Sequence, residues 1–324
     1  MEEAQKKRPF TAEGGTKKRA ALSTVGGTLK EESATRQGGE AKKACAAILA
    51  AAVLWGVIGL WNRRLMAAGL SPAGIVAVRN FGGMALLAAF FALRDRRVFR
   101  VERRHLKYFF GTGVVSVALF TVCYFSCQQL CSLAAASVLL YTAPSFVVLL
   151  SAVLWREPVT GKKLLALGLT LAGCACVCGV FSGGLSVTLP GVLLGLGSGF
   201  FYALYSIFGR YALAHYPPLT VTVWTFLFAG PASLVLLRPA ELAAAFSRPG
   251  SWPTALALAA LSTALPYVLY TWGLARTEPG RASILASLEP VAAALTGVLA
   301  FGEPMDLLTA AGIVCVLAGV SVLR

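Results

Sequence analysis

The stretch ASILASLEPVAAALTGVLAFGEP, residues Ala282–Pro304, is apolar and long enough to cross a bilayer. It carries one carboxylate, Glu289, directly before Pro290 near its centre, and it ends in a second acid–proline pair. The stretch ASVLLYTAPSFVVLLSAVLWREP, residues Ala136–Pro158, has the same pattern 146 residues earlier, and seven of the 23 aligned positions are identical without a gap. A duplicated unit is therefore predicted.

Similar apolar runs recur from residue 44 to the C-terminus. The chain is 57% hydrophobic and only 13% charged, whereas roughly a quarter of a soluble chain is charged. Ten spans are predicted, near residues 44–61, 72–93, 106–128, 133–155, 162–181, 190–210, 219–237, 254–274, 281–302 and 306–323. Because five spans per unit is an odd number, the second unit must enter the membrane from the opposite side. The predicted fold is an all-α membrane protein whose ten transmembrane helices form two inverted five-helix repeats.

Three segments follow from this division of the chain. Residues 1–43 are polar, with almost no large apolar residues, and a disordered tail is predicted for them. The first repeat is assigned to residues 44–183 and the second to residues 184–324. Leu171-Ala172-Gly173 recurs as Leu317-Ala318-Gly319 at the same offset of 146, so the duplication covers most of the apolar region.

The formal net charge of +15 is explained by membrane topology. Most of the 29 Lys and Arg residues fall in the tail and in alternate loops. The loops on the other side contain only Arg63, Arg64, Arg238 and Arg248. Positive residues concentrate on the cytoplasmic side, which predicts a multi-pass protein of the cell (inner) membrane with both termini in the cytoplasm. The partners expected are the lipid bilayer and a small-molecule substrate, and a nucleic-acid partner is not indicated.

Two ionisable side chains inside spans are candidates for substrate binding. An ionisable group within a membrane helix costs about 2.5–3.5 kcal/mol on insertion scales, so each indicates a function or a specific partner. Glu289 could bind a cationic group or a proton, could be protonated and bonded to a neighbouring helix, or could pair with Arg79. Arg79 could bind a carboxylate, or its long stem could reach the interface. Pro144 and Pro290 would each free a backbone carbonyl four residues earlier, for substrate contact or only for a packing kink.

Aromatic and polar side chains within the spans complete the candidate pocket. Aromatic walls with a few directional polar groups suit small-molecule sites, although interfacial belts also place aromatic residues near span ends. The candidates are Trp55, Asn62, Tyr124, Gln128, Ser137, Tyr141, Tyr202, Tyr205, Tyr267, Tyr270 and Ser283.

Other patterns indicate structure rather than chemistry. Two sets of small residues recur every four positions, namely Gly191, Gly195 and Gly199, and Cys123, Cys127 and Cys131. Close helix packing is predicted for the glycines and apolar packing for the cysteines, in preference to a soft-metal site. No metal or other cofactor is predicted. Glu157 and Glu303 precede prolines at span junctions, and a helix-capping role is predicted for both.

These motifs resemble those of a known family. The motifs are Tyr141-Thr142-Ala143-Pro144 with Arg156-Glu157-Pro158, their repeats Leu288-Glu289-Pro290 and Gly302-Glu303-Pro304, and Arg79-x-Phe81. In this arrangement the chain resembles the EamA-type transporters of the drug/metabolite transporter superfamily over residues 44–324. The resemblance implies a prokaryotic inner-membrane exporter of amino acids or other small metabolites, with a cavity between inverted halves. Ala143 stands where the second repeat has Glu289, so any acid-dependent step rests on one repeat.

The leading hypothesis is a secondary transporter that exports a small polar or zwitterionic metabolite by alternating access. Proton coupling through Glu289 and facilitated diffusion both remain open at this point. A sensor or scaffold without transport is one alternative, and an enzyme acting on a lipid-linked substrate is another. The enzyme hypothesis is disfavoured because the predicted loops are short and contain no His/Asp/Glu cluster.

Overall fold

The computed structural model describes residues 39–181 and 187–323, and these residues form helices and loops without any strand. Within the described residues, those from Ala44 onward form one compact unit. The predicted disorder of residues 1–38 and the predicted repeat boundary at residues 183–184 lie outside the described residues. Residues 39–43, also assigned to the tail, are helical.

We number the long helices of the described ranges α1–α10 in chain order. They are α1 Gly39–Ala67, α2 Pro72–Arg94, α3 Arg103–Leu130, α4 Leu133–Trp155, α5 Gly161–Val177, α6 Leu189–Leu213, α7 Pro218–Leu236, α8 Ser251–Leu274, α9 Pro279–Phe301 and α10 Leu307–Val322. Eight of them are long and apolar enough to cross a membrane. Helices α5 and α10 are shorter, at 17 and 16 residues. A short helix, Pro239–Phe246, connects α7 to α8.

Helices α4 and α9 are interrupted near their centres. Helix α4 stops at Leu140 and restarts at Ala143, and α9 stops at Ala286 and restarts at Glu289. Pro144 and its repeat counterpart Pro290 occupy the first turn of the second segments, where the missing N–H is harmless. A proline ring also clashes with the carbonyl four residues earlier. In both helices that carbonyl belongs to the last residue before the break, so the predicted interruption is confirmed.

The third long helix of each half contains a π-helical segment that the sequence did not reveal. These segments are Gly111–Ala118 in α3 and Ala260–Ala264 in α8. A π-helical turn widens the helix locally and is frequent at functional sites. Ser116 and Val117 from the first segment line the cavity described below.

Close helix contacts depend on glycine, as predicted. A Cβ atom on Gly195 of α6 would lie 2.7 Å from the Leu139 Cβ atom of α4. A Cβ atom on Gly173 of α5 would lie 2.7 Å from the Gly312 carbonyl oxygen of α10. Cys127 is buried in the small apolar cluster that also contains Leu139, which matches the predicted packing role of the cysteines. Glycine therefore determines how closely α6 approaches α4 and α5 approaches α10.

The acid–proline pairs do not cap helices, so that prediction was wrong. Helices α5 and α10 begin at Gly161 and Leu307, several residues after the acids. Their caps are Thr160 and Asp306, whose side chains accept hydrogen bonds from backbone N–H groups of the first turn. Glu157 and Glu303 are left available for ion pairs.

Candidate functional site

Glu289 and Arg79 are charged side chains from the two halves of the chain. Glu289 begins the second segment of α9, directly after the break, and Arg79 lies on α2. The two charged groups interact electrostatically, yet the described part of the chain shows no ion pair between them. The Nε atom of Arg79 is buried and lacks a hydrogen-bond partner among the described residues. Neither charge is therefore engaged in an ion pair among the described residues.

Tyrosines from four helices surround this acid. Those that interact electrostatically with Glu289 are Tyr124 of α3, Tyr141 of α4, Tyr202 of α6 and Tyr267 of α8. Six helices, α2, α3, α4, α6, α8 and α9, therefore contribute to one centre in the part of the chain that the structure describes.

A tight cluster of aromatic rings adjoins the centre. The ring centroid of Trp55 lies 5.3 Å from that of Tyr267 and 5.5 Å from that of Tyr270. Tyr205 completes the cluster, with its centroid 5.1 Å from that of Tyr267. The rings enclose a cavity of about 10 Å³, room for a single water molecule. A group larger than a water molecule could enter this cavity only if the rings separated.

Hydrogen bonds hold two of the cavity tyrosines in place. The hydroxyls of Tyr205 and Thr271 lie 2.7 Å apart, and those of Tyr270 and Ser206 lie 2.8 Å apart. Both bonds join α6 to α8. Because a buried hydroxyl needs a partner, these bonds hold the two rings in their orientations.

A second group of predicted residues, Tyr124, Gln128 and Ser137, is not part of the cavity wall. The hydroxyl of Tyr124 is 3.2 Å from that of Ser137, and Gln128 lies one helical turn after Tyr124 on α3. Since Tyr124 interacts electrostatically with Glu289, this group links the end of α3 and the start of α4 to the centre.

Two predicted residues are not brought into contact with this centre. The Oδ1 atom of Asn62 is buried without a hydrogen-bond partner among the described residues, near the end of α1. Ser283 is buried in the first segment of α9, where its carbonyl accepts a hydrogen bond of 3.5 Å from the Ser287 hydroxyl. Within the described ranges, neither side chain shows a contact with Arg79 or Glu289.

The structure also adds residues that the sequence prediction missed. The cavity is lined by Ser116, Val117, Phe120 and Ser206 besides the predicted aromatic residues. Ser206 directly follows Tyr205, so a search for polar residues beside the tyrosines would have found it. Nothing in the sequence distinguishes Ser116, because the π-helical segment that places it at the cavity is not visible in the hydrophobic pattern.

The profile of the EamA-like transporter family matches residues 42–179 and again residues 189–324. The chain belongs to this family. The EamA-like chain is 35% identical over 275 residues to an uncharacterized transporter of Archaeoglobus fulgidus. The aligned region covers 85% of this chain and 94% of that protein.

Another relative is the threonine/homoserine exporter RhtA of Escherichia coli (strain K12). It is 31% identical over 252 residues, covering 76% of the EamA-like chain and 80% of RhtA. A solved crystal structure is similar in fold, with a TM-score of 0.72 and 21% identity over 87% of this chain and 96% of that one. The predicted family is thus confirmed, and the chain is a multi-pass membrane transporter with two EamA domains.

Proposed function

We propose that this EamA-like transporter exports a small zwitterionic, amino-acid-like metabolite across the inner membrane by alternating access. One observation carries the proposal: Arg79 of the first half and Glu289 of the second are charged side chains within apolar spans, and the described residues show no ion pair between them. A zwitterion placed there would direct its carboxylate to Arg79 and its ammonium group to Glu289. Charges inside a transporter's spans commonly mark the substrate path.

Ten spans in two inverted repeats suit this function. The twofold match of the family profile supports two units, and five long helices lie in each half of the described chain. Helices α5 and α10, of 17 and 16 residues, would span about 25 Å at 1.5 Å per residue, slightly less than a hydrocarbon core of about 30 Å. Their flanking residues would complete the crossing. With both termini in the cytoplasm, the basic loops lie on the inner side.

The substrate side chain would enter the aromatic cavity beside the charged pair. Tyr202 and Tyr267 belong both to the cavity wall and to the surroundings of Glu289, which supports continuity between the two. The closed cavity accepts only a small group, and the hydroxyls of Ser116 and Ser206 suit a hydroxylated one. Threonine and homoserine, named for RhtA, are therefore the first substrates to test.

The direct test is efflux from proteoliposomes that contain the purified protein. Vesicles loaded with labelled threonine or homoserine should empty faster than protein-free vesicles, and Arg79→Gln and Glu289→Gln should each slow the efflux. Metabolite profiling of the medium from cells with and without the protein extends the test to other solutes. If no solute differs in either experiment, export of amino-acid-like metabolites is refuted.

Proton coupling through Glu289 has its own measurement. Efflux that is coupled to proton entry should accelerate when the external medium is made more acidic than the vesicle interior. Glu289→Gln should remove this response, since the amide cannot carry a proton. If the efflux rate does not change with the pH gradient and efflux persists in Glu289→Gln, a proton role for Glu289 is contradicted. Facilitated diffusion is then the mechanism that remains.

A further inference from the structure

Helix α9 has a charged cluster at each end and the candidate site between them. Glu278 is the residue directly before its first turn, and Glu303 follows its last turn. The helix has 23 residues, so the two ends lie about 34 Å apart at 1.5 Å per residue. Glu289 and the break in the helix lie near the middle. The two clusters therefore lie on opposite sides of the candidate site.

The first cluster joins the two halves of the chain through Lys163. The Nζ atom of Lys163 lies 2.6 Å from a carboxylate oxygen of Glu157 and 2.6 Å from one of Glu278. It also donates a hydrogen bond of 3.1 Å to the carbonyl of Pro158. The side chains of Lys163 and Glu157 are each only 8% exposed. One ammonium group from the first half thus holds a glutamate of its own half and a glutamate of the second half.

The second cluster is a single ion pair at the other end of α9. Arg63 of α1 donates to the carboxylate of Glu303, and its guanidinium lies 3.9 Å above the centre of the Phe301 ring. The side chains of Arg63 and Glu303 are 54% and 46% exposed to solvent. Glu303 is the repeat counterpart of Glu157, 146 residues later. Each copy of the acid–proline motif therefore takes part in an ion-pair cluster that joins the two halves.

We propose that these clusters are the two gates of the transporter and that they open in alternation. Lys163, Glu157 and Glu278 form the inner gate; Arg63 and Glu303 form the outer gate. The break at Ser287–Leu288 is a point where α9 can bend, so one gate can open while the other stays closed. This proposal rests on the proposed alternating-access function, and the names inner and outer rest on the proposed topology.

The two gates differ in strength because they differ in exposure. Water and salt screen an exposed ion pair, so its contribution is small. Removing one member of a buried cluster leaves an uncompensated buried charge, which is strongly unfavourable. The inner gate should consequently stay closed in the empty transporter while the outer gate opens readily. Loading from the cytoplasm then requires Lys163 to leave Glu278.

Hydrogen–deuterium exchange of the full-length protein in nanodiscs tests the gates without substrate. Lys163→Ala should raise the exchange of backbone amides in residues 159–165 and 276–283 by about tenfold or more. The same variant should lower the exchange of residues 298–306, because opening one gate closes the other. Arg63→Ala should produce the reverse pattern with a smaller amplitude. A purely structural role would raise exchange locally and leave the distant end unchanged.

The neighbouring residue provides a matched control. Lys162 is exposed, and Lys162→Ala should leave exchange at both ends as in the wild type. If Lys163→Ala does not fold, Glu278→Gln removes the contact between the halves at a half-exposed site and should give the same pattern more weakly. Exchange that rises at both ends, or at the mutated end only, overturns the proposal. Efflux from proteoliposomes that contain the same variants separates the two proposals: reciprocal exchange without efflux retains the gates and rejects export, whereas efflux without reciprocity does the opposite.

Discussion

Glu289→Gln is the substitution that most directly tests how the site recognises substrate. Glutamine keeps the shape of the side chain and removes its charge, so the break in α9 and the surrounding tyrosines should be undisturbed. Glu289 interacts electrostatically with Arg79 but forms no direct pair with it among the described residues. The substitution therefore breaks no ion pair among the described residues, and under the proposed function it removes a contact with the substrate's ammonium group.

The expected magnitude follows from the contact that would be lost. A hydrogen bond to a charged group contributes about 1.5–3 kcal/mol, which corresponds to a weakening of affinity by about 10- to 150-fold. We expect the apparent Km for threonine to rise by this factor in Glu289→Gln. Arg79→Gln should raise it by a similar factor, because it removes the matching contact with the carboxylate.

Substrate analogues identify which group each residue binds. 3-Hydroxybutyrate lacks the amino group of threonine, and 1-amino-2-propanol lacks its carboxylate. Competition of each compound with threonine efflux should be measured for the wild type and both variants. Glu289→Gln should weaken competition by 1-amino-2-propanol but not by 3-hydroxybutyrate, and Arg79→Gln should show the reverse.

Glu241→Gln is the control, because Glu241 lies outside the site on the connecting helix. It should leave the Km for threonine and the competition pattern unchanged. If Glu289→Gln transports threonine with an unaltered Km, the assignment of the ammonium group to Glu289 is refuted. If Glu289→Gln weakened competition by both analogues equally, the substitution would be distorting the site instead of removing one contact.

Two further substitutions test the fold. Gly173→Ala should destabilise the protein by about 1–3 kcal/mol, because its Cβ atom would lie 2.7 Å from the carbonyl oxygen of Gly312. Thermal unfolding in detergent measures this change. Gly168→Ala on the same helix is the control: Gly168 has open space around it, so the substitution should be neutral or stabilising. Ser71→Ala should cost about 1 kcal/mol at pH 7 through loss of the α2 cap. The hydrogen bond from the Ser71 hydroxyl holds the pKa of Glu241 below its ordinary value. The ionised carboxylate therefore stabilises the fold above about pH 4.3, the pKa of a glutamate in the unfolded chain. This stabilisation is lost as the pH falls through the lower pKa of the folded state. Ser71→Ala should flatten that acid dependence, and an unchanged pH profile would contradict the role of this bond.

Much of the fold was accessible from the sequence because it depends on local signals. The spans follow from runs of apolar residues, and the breaks in α4 and α9 follow from the chemistry of Pro144 and Pro290. The importance of Glu289 follows from the cost of placing a carboxylate in a membrane. The capping role predicted for Glu157 and Glu303 failed because it relied on proximity to proline. The helices begin several residues later, and the acids find partners elsewhere.

What the sequence determined by itself is therefore the duplication, the apolar spans and the isolated charges, since each is a property of neighbouring residues or of a fixed offset. The tertiary structure alone decided that Lys163 contacts Glu278, that Arg63 contacts Glu303, and that the rings around Trp55 close the cavity. These partners lie far apart along the chain, and only helix packing brings them together. The crossing of helices and the π-helical segments set those distances, and neither leaves a periodic signal in the sequence.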